Sequence, residues 1–169
     1  MLTKLKLIDV SNDYEQQCKI ITMMRDEKCI SEVFQNRVDR LVNSAFCYII
    51  RRNGKDIGFV NLVIEKQDPE FYFLDIGLKD IYRNMGIGTT ILKKLQDMEF
   101  DKFILLEVKI ANEGANLSIE KVGIKVAEFD DINYYLLQKD KVEEFIDGDY
   151  LEELAHHVAI KSKKDLLKK

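Results

Sequence analysis

Proline is almost absent from the 169 residues, cysteine and histidine are scarce, and no long apolar run occurs. Each shortage removes a class of protein. The three cysteines, Cys18, Cys29 and Cys47, are odd in number, widely spaced and form no Cys-x-x-Cys pair. Zinc-ribbon and thioredoxin chemistry therefore fall away, and reduced, mostly buried thiols are expected. The two histidines, His156 and His157, are adjacent. Neighbours on a helix point in different directions and make no two-ligand face. No cysteine or carboxylate cluster accompanies them, so no metal site is expected. The chain reaches polar residues at once and holds no apolar stretch of membrane length, which predicts a cytoplasmic protein with no membrane contact. An excess of positive charge is missing too: 26 Lys+Arg face 30 Asp+Glu, for a formal net charge of -4. That weighs against nucleic acid as a partner and suits the attraction of a cationic substrate.

What is present is an ordinary globular balance, 46% hydrophobic and 33% charged, in a length that suits one domain. Patterning predicts a short strand over Lys4 to Asp9. The cluster Ser11-Asn12-Asp13 then caps a helix carrying Tyr14, Cys18, Ile20, Ile21 and Met24. A second helix is expected over Ser31 to Val42. Phe46 to Arg52 reads as a strand, Asn53-Gly54 as a tight hairpin turn, and Ile57 to Ile64 as the long return strand. Asp68-Pro69 marks a turn, and Phe71 to Leu78 the next strand. A helix with Ile91, Leu92, Leu95 and Met98 on its apolar side follows. Phe103 to Ile110, apolar except for Glu107 and Lys109, has the look of a central strand buried on both faces. Asn112 to Val122 gives a further helix ended by Gly123, and two short strands flank Asp130-Asp131. A helical extension with a basic tail is expected over residues 140–169, after a main domain at 1–139. The element order is mixed α/β.

The segment from Asp75 to Thr90 runs from a strand, through a short loop with Gly86 and Gly88, into a helix start. Backbone N–H groups in a helix's first turn have no intrahelical partner and lie at its positive dipole end. A pyrophosphate fits there without side-chain charge. Gly86 and Gly88 allow close approach, Thr89 and Thr90 offer hydroxyls, and Arg83 offers a charged donor. Two nucleotide motifs fail. No Gly-Lys-Ser/Thr occurs, and no third glycine stands at dinucleotide-fold spacing.

The run Arg83-Asn84-Met85-Gly86-Ile87-Gly88 resembles the coenzyme A pyrophosphate loop of the Gcn5-related N-acetyltransferases. Downstream, Leu106-Glu107-Val108, Asn112, Ala115 and Glu120-Lys121-Val122-Gly123-Ile124 resemble a second stretch of that family. The likeness covers about Lys4 to Leu137. It implies a mixed central sheet splayed between two parallel strands and flanked by helices, with acetyl-CoA as co-substrate and no metal. It further implies that Ile76, Gly77 and Leu78 pair with the pantetheine arm, with the Leu78 N–H aimed at the thioester carbonyl. Asn84, Met85, Gly86, Ile87, Gly88 and Thr89, with Arg83, would hold the pyrophosphate, and Asn112 the cofactor arm.

Transfer to an amine needs the amine neutral, so a carboxylate must take its proton. Glu107 matches the position of a catalytic glutamate in the ribosomal-protein alanine acetyltransferase branch. Asp75 is the second acid. The family's usual tyrosine, a proton donor to the departing thiolate, falls at Ile119, and its phenylalanine at Ile124. Ser118, Tyr134 and Tyr135 are the substitutes in reach, though the tyrosines read as structural. Three functions follow: an amine acetyltransferase acting by direct attack, a non-catalytic acyl-CoA-binding module, or an unrelated phosphate-binding protein. The acceptor stays open among small amines and protein N-termini, and a homodimer stays open too.

Overall fold

A computed structural model of the chain describes residues 4–26, 43–66 and 68–138. The expected second helix and the extension after residue 139 lie outside the described residues. The elements are β1 (Leu5–Asp9), α1 (Tyr14–Asp26), β2 (Ser44–Arg52), β3 (Lys55–Glu65), β4 (Asp68–Leu78), a 3-10 turn (Asp80–Tyr82), α2 (Ile87–Asp97), β5 (Phe103–Lys109), α3 (Glu113–Glu120), β6 (Ile124–Phe129) and β7 (Ile132–Leu136). The seven strands form one mixed sheet in the order β1-β2-β3-β4-β5-β7-β6, with β4 and β5 parallel. The chain divides into two compact units: residues up to Ile64 with Phe73–Ile91, and Glu65–Tyr72 with Leu92 onward.

In the first unit, β1, β2 and β3 form an antiparallel meander. β3 is buried without a break from Ile57 to Val63, as a strand covered on both faces must be. The Asn53-Gly54 turn is as the sequence predicts, with φ of 50° and 79°. Helix α1 packs Ile20 and Met23 against Val10, Cys47, Ile49 and Phe59. Tyr14, expected in that stripe, is 79% exposed. At ~100° per residue it lies about 180° around the axis from Met23, so it faces away from the packed side. Cys47 is buried and Cys18 half-buried, and burial pushes the Cys47 thiol up, which makes it a poor nucleophile.

In the second unit, β7 pairs with β5 on one side and β6 on the other. Asp68-Pro69, expected as a turn, opens β4 instead; a proline at the start of a strand removes no interior ladder bond. Gly123 is not a left-handed helix cap, because among described glycines only Gly54 and Gly86 have positive φ. It is needed for space: a Cβ there would lie 2.7 Å from the Leu136 carbonyl oxygen. Met98, expected on the apolar side of its helix, falls just past the end of α2 and is 37% exposed. Gln96 Nε2 donates to the carbonyls of Val122 (2.9 Å) and Leu137 (2.8 Å), which ties the end of α2 to the strands of this unit.

Candidate active site

The first unit builds the loop. Strand β4 ends at Leu78, where Asp75, Ile76 and Leu78 are half-buried and Gly77 is buried. Its end is fixed to β3 by Lys79 N donating to the Ile57 carbonyl at 2.9 Å. Glycine meets glycine here: a Cβ on Gly58 would sit 2.2 Å from the Gly77 carbonyl oxygen. Gly58 stands outside the loop motif, and a glycine inside a strand signals such close backbone approach.

Beyond Leu78 the chain makes the 3-10 turn and then two left-handed residues, Asn84 (φ 59°) and Gly86 (φ 77°). Left-handed residues set among right-handed ones gather consecutive N–H groups into an anion-binding concavity. Helix α2 starts at Ile87, and Thr90 N donates to Gly86 O at 3.1 Å. The amides of Ile87, Gly88 and Thr89 therefore precede the helical ladder. Nothing lies within 4 Å of a Cβ built on Gly86 or Gly88, so the space over these amides is open to a ligand. Ile87 is buried and anchors the helix start.

Two side chains expected at the phosphates brace the loop itself. Arg83 Nε donates to the Leu78 carbonyl at 3.0 Å, and its Nη1 lies 2.9 Å from Asp80 Oδ1. The Thr90 hydroxyl donates to Gly86 O at 3.0 Å. Met85 is 59% exposed, and Arg52 from the β2–β3 hairpin donates to its sulfur at 3.6 Å. Nothing in the loop motif pointed to Arg52, because it stands 33 residues away in sequence.

The second unit carries the other acid. Glu107 on β5 is half-buried and directly opposite Tyr134 on β7, so the two share a sheet face. Tyr135 takes the other face. Its hydroxyl lies 2.7 Å from Asn116 Oδ1 and 3.1 Å from Glu120 Oε1 on α3. Burial, helped by the Glu120 carboxylate, pushes the Tyr135 phenol up to about 12. Asn116, buried and marked by no motif, donates to the carbonyls of Lys109 (2.9 Å) and Asn112 (2.8 Å) and accepts from Asn133. This network shapes the β5–α3 connection. Asn112 caps α3, its Oδ1 accepting from Ala115 N at 3.2 Å. Ile119 is core, 1% exposed, and Ser118 is half-buried. Among the described residues no group of His, Cys, Asp and Glu could hold a metal ion, and no helix is long and apolar enough to cross a membrane.

A mixed sheet whose fourth strand runs through a glycine loop into a helix start makes an α/β protein with an anion-binding loop at a strand end. Residues 8–124 match the acetyltransferase (GNAT) family, and the chain belongs to that family. It is an acetyl-CoA-dependent N-acetyltransferase, and the open glycine cradle fits that co-substrate. Solved structures share the fold at low identity. The Campylobacter jejuni N-acetyltransferase PseH, in complex with acetyl coenzyme A, is 15% identical over 79% of this chain and 98% of that one, with a TM-score of 0.54. Vibrio cholerae spermidine N-acetyltransferase, in complex with CoA and spermine, is 16% identical over 81% and 96%, at 0.55. Paenibacillus lautus diaminobutyrate acetyltransferase EctA is 14% identical over 82% and 95%, at 0.53. No curated protein matches the sequence closely enough to stand as a relative.

Proposed function

We propose that this protein acts in the cytoplasm and acetylates a primary amine by direct attack on acetyl-CoA. The observation that carries this reading is the Asn84–Gly86 pair of left-handed residues opening onto the unladdered amides of α2, with empty space above both glycines. The amides from Asn84 to Thr89 hold the pyrophosphate, and the backbone of Ile76, Gly77 and Leu78 holds the pantetheine arm. The Leu78 N–H stabilises charge that develops on the thioester oxygen. The co-substrate supplies an activated acetyl group.

Glu107 takes the proton from the amine, with Asp75 as the other base. Asn112 contributes to the cofactor arm while capping α3. We place small di- and polyamines first among acceptors, because the chain is net acidic and the proteins that share its fold include spermidine and diaminobutyrate acetyltransferases.

The test is a thiol-release screen with acetyl-CoA against a panel of amines and N-terminal peptides. Release that depends on one class of primary amine supports the reading. Ile119 lies in the core and cannot donate a proton, so the thiolate that leaves when the C–S bond breaks takes its proton from another group or from water. Tight CoA binding with no thiol release from any primary amine would overturn the reading.

A further inference from the structure

The phosphate loop has a cation beside it that belongs to another part of the chain. Arg52 is the last residue of β2, paired with Lys55 across the hairpin and with Leu5 of β1. The turn that follows is held by two positive-φ residues, Asn53 and Gly54, and by Asn53 N donating to the Lys4 carbonyl at 3.1 Å. The hairpin end is therefore a fixed platform. From it the Arg52 guanidinium reaches Met85 Sδ at 3.6 Å, and Met85 stands between the two left-handed residues of the loop.

A thioether is a weak, neutral acceptor, so this contact positions the guanidinium without neutralising it. The other arginines nearby differ. Arg83 is held by Asp80 and the Leu78 carbonyl, and Arg51 by Asp56 at 2.8 Å. Lys4 and Lys55 are exposed on the same hairpin and β1 end and add to the positive potential there.

Coenzyme A carries two phosphate groups of different kinds. The pyrophosphate is matched by main-chain amides. The 3′-phosphate is a terminal monoester, one ribose further along, with a charge of about -1.5 to -2 at neutral pH. A terminal phosphate is the group that a planar guanidinium binds through two parallel hydrogen bonds. We propose that Arg52 binds the 3′-phosphate of coenzyme A, so that the β2–β3 hairpin makes this protein select coenzyme A over its 3′-dephospho form. The proposal rests on the reading that the Asn84–Thr89 loop grips the pyrophosphate.

Calorimetric titration of the full chain with coenzyme A and with 3′-dephospho-coenzyme A tests it. The wild-type protein should bind coenzyme A about ten-fold more tightly, the range expected for hydrogen bonds to a charged group. Arg52→Ala should lose about that factor for coenzyme A while its affinity for the dephospho form changes less than about two-fold. Arg52→Lys should fall in between, because it keeps the charge and loses the fork. The circular dichroism spectrum checks that each variant is folded. Equal wild-type affinities for the two ligands would overturn the proposal. So would an Arg52→Ala loss that is the same for both, which would make Arg52 a brace for Met85. If the wild-type protein bound neither ligand, the loop reading itself would fall, and this proposal with it.

Discussion

Glu107 and Tyr135 lie on paired strands of the second unit, yet alternation sends them to opposite faces of the sheet. Tyr135 points to the side where α3 packs and spends its hydroxyl on Asn116 and Glu120. Glu107 shares the other face with Tyr134. The two residues should therefore fail in different ways when changed. Glu107→Gln keeps the shape and removes the base, so kcat should fall about 10²- to 10³-fold with little change in stability or in coenzyme A affinity. A steady-state assay with a reactive amine measures the first, and thermal melting the second. An unchanged kcat would pass the role to Asp75, and Asp75→Asn is the variant to compare. Tyr135→Phe should do the reverse. It removes a donor from the buried Asn116 carbonyl, so stability should drop by about 1–2 kcal/mol in denaturant titration. The pH profile of kcat should not move, because a phenol held up at about 12 does not titrate near neutrality and its hydroxyl is engaged with Asn116 and Glu120.

At the scale of elements, the contact between β3 and β4 decides how the cofactor-pairing stretch is presented. Gly58→Ala would place a methyl carbon 2.2 Å from the Gly77 carbonyl oxygen. Backbone cannot swing aside as a side chain can, so one strand must shift. The expected cost is about 1–3 kcal/mol, together with weaker coenzyme A binding, because Gly77 lies in the stretch assigned to the pantetheine arm. Calorimetry on a variant that still folds separates the two effects. A Gly58→Ala protein with wild-type affinity would show that residues 76–78 are not used. Helix α3 offers a milder case. Asn112→Ala removes the cap on Ala115 N and should cost about 1 kcal/mol, whereas Asn112→Ser keeps a capping oxygen and should cost less. If both variants lose coenzyme A affinity equally, the Asn112 side chain touches the cofactor as well as the helix.

For the molecule as a whole, local rules were readable and long-range ones were not. The Asn53-Gly54 turn, the buried runs of β3 and β5, and the strand–loop–helix passage at Gly86 all express short-range patterns, and each appears where the sequence places it. The role of Gly123 depends on Leu136, the contact at Met85 depends on Arg52, and the burial of Asn116 depends on Asn133 and Tyr135. No periodicity reports a partner that arrives from another strand. Long-range partners also set how the protein responds to alkali. Tyr48 in the first unit and Tyr72 and Tyr135 in the second are all pushed up to about 12. Burial is the main cause for each, reinforced by the carboxylates of Asp9, Asp101 and Glu120 respectively. In the unfolded chain these phenols ionise near 10. Below about pH 10 both states keep their protons, and the stabilisation is complete. Between about pH 10 and 12 the unfolded chain gives up protons that the folded one retains, so stability must fall as pH rises. Denaturant midpoints should therefore drop across that window, with phenolate absorbance from these tyrosines appearing together with unfolding. Replacing Tyr72 with Phe, which removes the hydrogen bond to Asp101 at 2.6 Å, should shrink the drop. A protein that titrates all its tyrosines near pH 10 while still folded would show that the three hydroxyls are open to solvent, and the packing described around them would be wrong.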